Sequence, residues 1–290
     1  MDDRASRTRV VEHGSAQGAW RMTFLTPTER LAPFVQRFNA YAERDTGFAR
    51  RREPPSGLAT LVINLGEALR VEHPTGTHTA YRAGHGFYSG LSRVYAVTET
   101  DRSQIGAQVM LTPLGARRLL GFPLEEVGDR MIDAVDLFGP TGREMIERLQ
   151  EANSQSRQLE ILEREMERRL LLPHAPVARD LVWALRRLRT SGGRIKVAAL
   201  AGEIGCSRKH LTMRFKKEFG LAPKPFARVL RFDRALRLLA NDGIANWAEL
   251  ADACGYADQA HLSRDFRACV GSPPEAFLRL RLPDNGGFMD

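Results

Sequence analysis

Two stretches hold side chains whose types and spacing suit one chemistry, the reading of polar edges on a polyanion. They are Ser207-Arg-Lys-His-Leu-Thr-Met-Arg-Phe-Lys-Lys-Glu-Phe-Gly220 and Asp258-Gln-Ala-His-Leu-Ser-Arg-Asp-Phe-Arg-Ala-Cys-Val-Gly271. At a shift of 51, His210 meets His261, Leu211 meets Leu262, Phe215 meets Phe266, Lys216 meets Arg267 and Gly220 meets Gly271. Further on, Pro223 meets Pro274 and Phe226 meets Phe277. An internal repeat this specific implies two copies of one structural unit. On a helix, Arg208, Lys209, Thr212 and Lys216 share one face, as do Gln259, Ser263, Arg264 and Arg267. Hydrogen-bond donors on such a face suit base edges in the major groove, and cations suit phosphates.

Other constellations carry less. The histidines His73, His78 and His85 lack the spacing of a metal site and read as ordinary turn residues. Asp129, Asp133 and Asp136 read as helix caps and solvated carboxylates. No Gly-rich phosphate loop, GxSxG or HExxH occurs, so no catalytic residue, cofactor or metal is expected. The three cysteines, Cys206, Cys254 and Cys269, form no CxxC and are read as structural, with Cys206 the candidate for any redox sensing. None lies before residue 174, so the front of the chain has no thiolate nucleophile for alkyl-group repair.

The elements that position the repeated faces follow from pattern. Before each copy lies a short apolar helix, with Val197, Leu200 and Ala201 in one and Trp247, Leu250 and Ala251 in the other. A turn with Gly205 or Gly255 follows, then a capping Ser207 or Asp258. Leu211 with Phe215, and Leu262 with Phe266, face inward; this is the logic of a helix-turn-helix. Pro225 to Asn241 reads as one amphipathic linking helix, long enough to set two recognition helices about 34 Å apart, one DNA turn. Its arginines, Arg228, Arg231, Arg234 and Arg237, read mainly as a solvated face or as partners of Asp233.

Composition agrees with this division. The 290 residues are 43% hydrophobic and 27% charged, a globular composition with room for two domains. Residues 1–173 hold 23 Arg and no Lys against 23 acidic residues, while residues 174–290 carry the whole net charge of +8. Only the back is expected to meet a polyanion. No apolar run approaches the roughly 20 residues of a membrane span. The polar start gives no sign of a signal peptide, so the cytoplasm is the expected location.

The front reads as strands. Leu58–Leu65, Val94–Thr98 and Ile105–Met110 are β-rich runs separated by Gly and Pro turns. Residues 1–18 look polar and poorly ordered, and Leu31–Arg44 fits helix or strand. Pro113–Leu120 reads as a helix capped by Thr112, and Thr141–Glu151 as another. Leu159, Leu162, Met166 and Leu170 form a helical stripe, either packed on its own domain or paired in a dimer; Glu160, Glu163, Arg164, Glu167 and Arg168 are expected to face away from it.

Residues 174–282 resemble the AraC/XylS family of bacterial transcription regulators. The likeness is carried most by Gly255-Tyr-Ala-Asp-Gln-Ala-His-Leu-Ser-Arg-Asp-Phe-Arg-Ala-Cys-Val-Gly-Ser-Pro-Pro-Glu-Ala-Phe277, then by Arg231-Phe-Asp-Arg-Ala-Leu-Arg-Leu-Leu239. His261 stands where the family usually has an aromatic such as Tyr. The resemblance implies an α+β chain: a β-rich effector-binding or dimerisation domain (1–140), a helical connector (141–173) and an all-α DNA-binding domain (174–290). Within the last, it implies helix-turn-helix units at about 196–219 and 246–270, joined by a linker at about 224–241. It implies base contacts at Lys209, Thr212, Met213, Gln259, Ser263 and Arg264, with Met213 in place of the commoner Arg. Phosphate contacts are expected at Arg208, Lys216, Lys217 and Arg267. Double-stranded DNA, a small-molecule effector, RNA polymerase and a second copy of the chain are the implied partners. For the effector, Trp20, Phe24, Val62, Tyr88 and Tyr95 are the expected pocket, the other reading being that these aromatics are core. The competing function is a DNA repair or modifying enzyme targeted by a helix-turn-helix; a third is a DNA-binding protein whose front domain only dimerises.

Overall fold

The computed structural model describes residues 3–15, 18–44, 50–73, 76–101, 103–128, 130–240, 246–280 and 288–289; Asp129 and the end of the expected linker at Asn241 lie outside them. The chain opens with α1 (Asp3–Ser6), then ten strands: β1 (Thr8–Ser15), β2 (Gly18–Leu25), β3 (Val35–Arg44), β4 (Arg50–Glu53), β5 (Ala59–Asn64), β6 (Leu69–Glu72), β7 (His78–Tyr81), β8 (His85–Ser89), β9 (Ala96–Glu99) and β10 (Gln104–Leu111). After α2 (Pro113–Leu120), a 3-10 turn (Leu124–Glu126) and β11 (Met131–Asp133) come α3 (Ala134–Phe138), α4 (Pro140–Glu151) and α5 (Gln155–Leu170). The back holds α6 (Arg179–Thr190), α7 (Val197–Ile204), α8 (Arg208–Phe219), α9 (Pro223–Ala240), α10 (Trp247–Cys254), α11 (Gln259–Val270) and α12 (Pro274–Leu278), with β12 (Phe288–Met289) at the end. The fold is α+β, a β-rich front and a helical back.

One sheet runs β1-β2-β3-β10-β5-β8-β11 and the other β12-β4-β9-β6-β7, with every paired strand antiparallel. Alternation along β5 divides the two cores of the front. Leu61 and Ile63, with Tyr88, face the core built with α2, α4 and α5. Val62 and its cross-strand partner Phe87 face the second sheet, where they meet Leu69, Val71 and Tyr81. Buried Asn64 ends β5, its Nδ2 donating to the carbonyls of Glu67 and Tyr81 at 2.6 and 2.8 Å.

The stripe Leu159, Leu162, Met166 and Leu170 packs into the front core with Met145, Ile146 and Leu149, the packed-on-its-own-domain reading. Of the two readings of Leu31–Arg44, the strand holds from Val35, and Leu31 and Phe38 both bury because a turn before β3 brings Leu31 inward. Two expectations change. Residues 3–15 are ordered as α1 and β1, because β1 pairs with β2 along its length. Glu163 does not face solvent. It is almost fully buried, and Arg7 Nη1 donates to it at 2.8 Å while Arg4 Nε donates at 3.2 Å. These contacts tie the start of the chain to α5.

Candidate nucleic-acid interface

The repeat folds as two units of the same plan, α7 with α8 and α10 with α11. Leu200 and Ala201 bury from α7, as Leu250 and Ala251 do from α10. Ser207 Oγ accepts from the His210 N–H at 3.1 Å, and Asp258 Oδ1 accepts from the His261 N–H at 2.7 Å. Each cap satisfies a backbone donor that the first turn leaves free. Leu211, Phe215 and Phe219 bury in the first unit, and Leu262, Phe266, Cys269 and Val270 in the second. Both recognition helices end at a glycine with φ near +75°, Gly220 and Gly271, a left-handed cap that a Cβ would strain.

Packing these apolar faces turns the polar ones outward. Arg208, Lys209, Met213, Lys216 and Lys217 are exposed on α8, with Thr212 half-buried. Gln259, Arg264 and Arg267 are exposed on α11, with Ser263 half-buried. All ten expected DNA-contacting residues therefore sit on the two recognition helices, on the sides away from their cores. Lys216 differs from the rest: its Nζ donates to Glu125 Oε1 of the 3-10 turn at 2.6 Å. Arg214 is held back from that face by Asp180 of α6, to which its Nη2 donates at 2.9 Å. The hydrogen bonds from Arg214 hold the Asp180 carboxyl below its usual range.

The arginines of α9 are not a solvated row. Arg231 donates to the Gly193 carbonyl at 3.0 Å and to Asp265 of α11 at 3.3 Å, and its guanidinium lies 5.2 Å from the Tyr256 ring centroid. Arg234 Nε donates to the Ala253 carbonyl at 3.1 Å. Arg237 pairs with Asp233 at 2.9 Å, as expected. Arg231 and Arg234 thus clasp α9 to the segments around it and fix how the two units sit on their shared helix. A period of three gave no sign of this, because it describes a solvated face equally well.

The front domain holds both units. Arg117 Nε of α2 donates to Glu218 Oε2 of α8 at 2.8 Å, and Leu91 joins the core of the first unit. For the second unit, the Tyr95 N–H donates to the Cys269 carbonyl at 2.8 Å, and Arg52 donates to the Val270 carbonyl at 2.8 Å while stacking on Tyr95.

The expected effector residues are not brought into one pocket. Trp20 stacks on His13, Phe24 lies beneath Arg9 and Arg37, and Val62 packs between the sheets. Tyr88 is in the main front core and Tyr95 packs on the second unit. Val62 and Tyr88 lie on opposite faces of the paired strands β5 and β8, and that separation needed the sheet order to be seen. Cys254 and Cys269 are buried; burial pushes the Cys254 thiol up and the Cys269 thiol to about 12. His78 and His85 are exposed and His73 is buried; among the described residues no three His, Cys, Asp or Glu side chains gather as a metal site would need. Asp133 caps α3, accepting from the Val135 N–H at 2.7 Å, and Asp136 lies in its first turn.

A pair of capped recognition helices on one linking helix, docked on a β-rich domain, defines a tandem helix-turn-helix module with an attached second domain. Residues 200–280 match the family model described as a helix-turn-helix domain. The chain carries that domain, and the resemblance to the AraC/XylS regulators holds there. Over 86 residues the chain is 35% identical to the HTH-type transcriptional regulator YidL of Escherichia coli (strain K12), a stretch that is 30% of this chain and 29% of that relative. The whole architecture is similar to that of ToxT from Vibrio cholerae, with a TM-score of 0.50 over 94% of this chain and 98% of that one, at 9% identity. At that identity the likeness shows the fold.

Proposed function

We propose that the protein is a sequence-specific DNA-binding regulator of transcription, controlled through its front domain by a small-molecule effector. The observation that carries this reading is the pair of capped helices with outward donors at matched positions, joined by one clasped helix. Such a pair suits two successive major-groove segments on one side of a duplex. Lys209, Thr212, Met213, Gln259, Ser263 and Arg264 are the base-reading set; Arg208, Lys216, Lys217 and Arg267 meet phosphates. Arg264 suits a guanine edge and Gln259 an adenine edge. Contacts from the front domain to both units give an effector a route to the DNA-binding arrangement, provided it binds one arrangement better than another. The reading places the protein in the cytoplasm and extends to RNA polymerase as the machinery the bound protein influences. Pairing with a second copy of the chain is the alternative way for the front domain to act.

Selection of sites by the whole chain from a random DNA pool tests this. An enriched motif in two parts, about one helical turn apart, is expected. Arg264→Ala should then cost about 1–3 kcal/mol on that motif and relax preference at one base pair. Loss of the same size on random DNA would make Arg264 a phosphate contact, and absence of any motif would overturn sequence-specific readout.

A further inference from the structure

The front domain grips the two helix-turn-helix units at equivalent points. Gly220 and Gly271, which the repeat aligns, are the left-handed caps that end α8 and α11. A Cβ on Gly220 would lie 3.4 Å from Leu124 Cβ of the 3-10 turn, and one on Gly271 would lie 3.4 Å from the Tyr95 ring. The same end of each recognition helix therefore rests on the front domain. Polar contacts secure each grip. Lys216 and Glu218 of α8 are held by Glu125 and Arg117. At the end of α11, the Cys269 carbonyl accepts from the Tyr95 N–H and the Val270 carbonyl from Arg52. The connection from β8 to β9, residues 90–95, reaches both units. Its Leu91 is buried in the core of the first, and its Tyr95 packs into the core of the second. This connection is anchored in both sheets, through β8 in the larger and β9 in the smaller. Within it, Ser92 Oγ donates to the Val94 carbonyl at 2.7 Å and accepts from the Val94 N–H at 3.2 Å. In the back domain, by contrast, the two cores share no residue. The linking helix α9 serves both, with Phe226 and Leu230 in one and Phe232 and Ala235 in the other. Hinging of α9 between Leu230 and Phe232 would change the angle and distance between α8 and α11, and a grip on each helix opposes it.

We propose that the front domain is the ruler of the DNA site. By holding the ends of α8 and α11 it fixes the spacing between the two half-sites, which makes Tyr95 and Arg52 specificity-determining residues that touch no DNA. This role rests on the reading of the protein as a sequence-specific DNA-binding regulator. Holding both units in one arrangement lowers the cost of ordering them on a matched duplex and penalises a duplex whose halves are displaced. One added base pair shifts a half-site by about 3.4 Å and turns it by about 34° around the helix axis, a displacement the units follow only by releasing a grip.

The test titrates the whole chain against its selected site and against copies with one base pair inserted or deleted between the halves. The readout is the ratio of the affinities, which a smaller folded fraction does not move. Wild type should bind the altered copies roughly ten- to a hundredfold more weakly, the cost of about one lost base contact. Tyr95→Ala, which takes the ring away from Gly271, should bring the ratio toward one and leave the sequence preference within each half-site intact. Tyr95→Phe keeps the ring and the backbone N–H and should retain the wild-type ratio. Arg52→Ala removes the hold on Val270 and should lower the ratio in the same direction, so the test stands even if the Tyr95→Ala chain fails to fold. A wild-type ratio in both Tyr95→Ala and Arg52→Ala overturns the ruler, and so does a wild type indifferent to the spacer. Either of these results leaves the regulator standing, because the motif itself is still selected. Absence of any motif is a separate result that removes DNA reading, and the ruler with it.

Discussion

Met213 is the side chain on which base reading by α8 can be isolated. It is 56% exposed, the largest exposure of any large hydrophobic residue among those described, and it lies one turn from both Lys209 and Lys217. A thioether left in water on a polar face is apolar surface without a protein partner. The C5-methyl of thymine is the apolar group the major groove offers. Replacing the contacted thymine by deoxyuracil removes one methyl, worth about 0.8 kcal/mol or roughly fourfold in affinity. Wild-type protein should lose that much in a fluorescence-anisotropy titration and Met213→Ala should lose nothing further. An equal loss in both would show that Met213 does not touch the methyl. At this scale the sequence was highly legible: caps, buried Leu and Phe, and outward donors all follow from the repeat. It failed where a side chain's partner is distant in the chain. Glu163 looked like part of a solvated face because Arg4 and Arg7 are more than 150 residues away.

The linking helix α9 shows what periodicity resolves and what it does not. Its length and apolar face are local properties and were readable, whereas its function as a clasp depends on Gly193, Ala253 and Asp265, which three other segments bring to it. The same holds for the front domain: individual strands were visible, but their order in two sheets, and so the faces of Trp20, Val62 and Tyr88, was not. Asp233 gives α9 a titration of its own. Burial lifts its carboxyl to about 6, with Arg237 of the same helix and Arg37 of β3 pulling the other way. Between about pH 4 and pH 6 the folded chain therefore holds a proton that the unfolded chain has released, so the stability from this group falls as pH rises through that window. Asp233→Asn stays neutral at every pH. Its melting temperature relative to wild type should rise between about pH 4 and pH 7 in a thermal-denaturation series. Parallel curves would mean that the carboxyl is ionised throughout.

At the scale of the whole molecule, the front domain pairs with part of the face proposed to read DNA. Lys216 is expected on phosphate, yet it is paired with Glu125 of the front domain, and the neighbouring Arg117–Glu218 contact holds the same helix end in place. Breaking only the first pair should leave the docking intact and release one cation. Each phosphate neutralised adds about 0.9 to the magnitude of the slope of log affinity against log salt. Glu125→Gln should therefore steepen the slope of the full chain by about that amount and tighten binding at low salt. Adding Lys216→Gln should return the slope to the wild-type value, which separates release of this lysine from a general loosening of the domains. If Glu125→Gln leaves the slope unchanged, Lys216 either reaches phosphate despite its partner or never does. Lys216→Gln alone decides between these, lowering the slope in the first case and leaving it unmoved in the second. Either result removes Glu125 as a restraint on DNA binding and leaves the contacts of Arg117 with Glu218, and of Tyr95 and Arg52 with the end of α11, as connections between front and back.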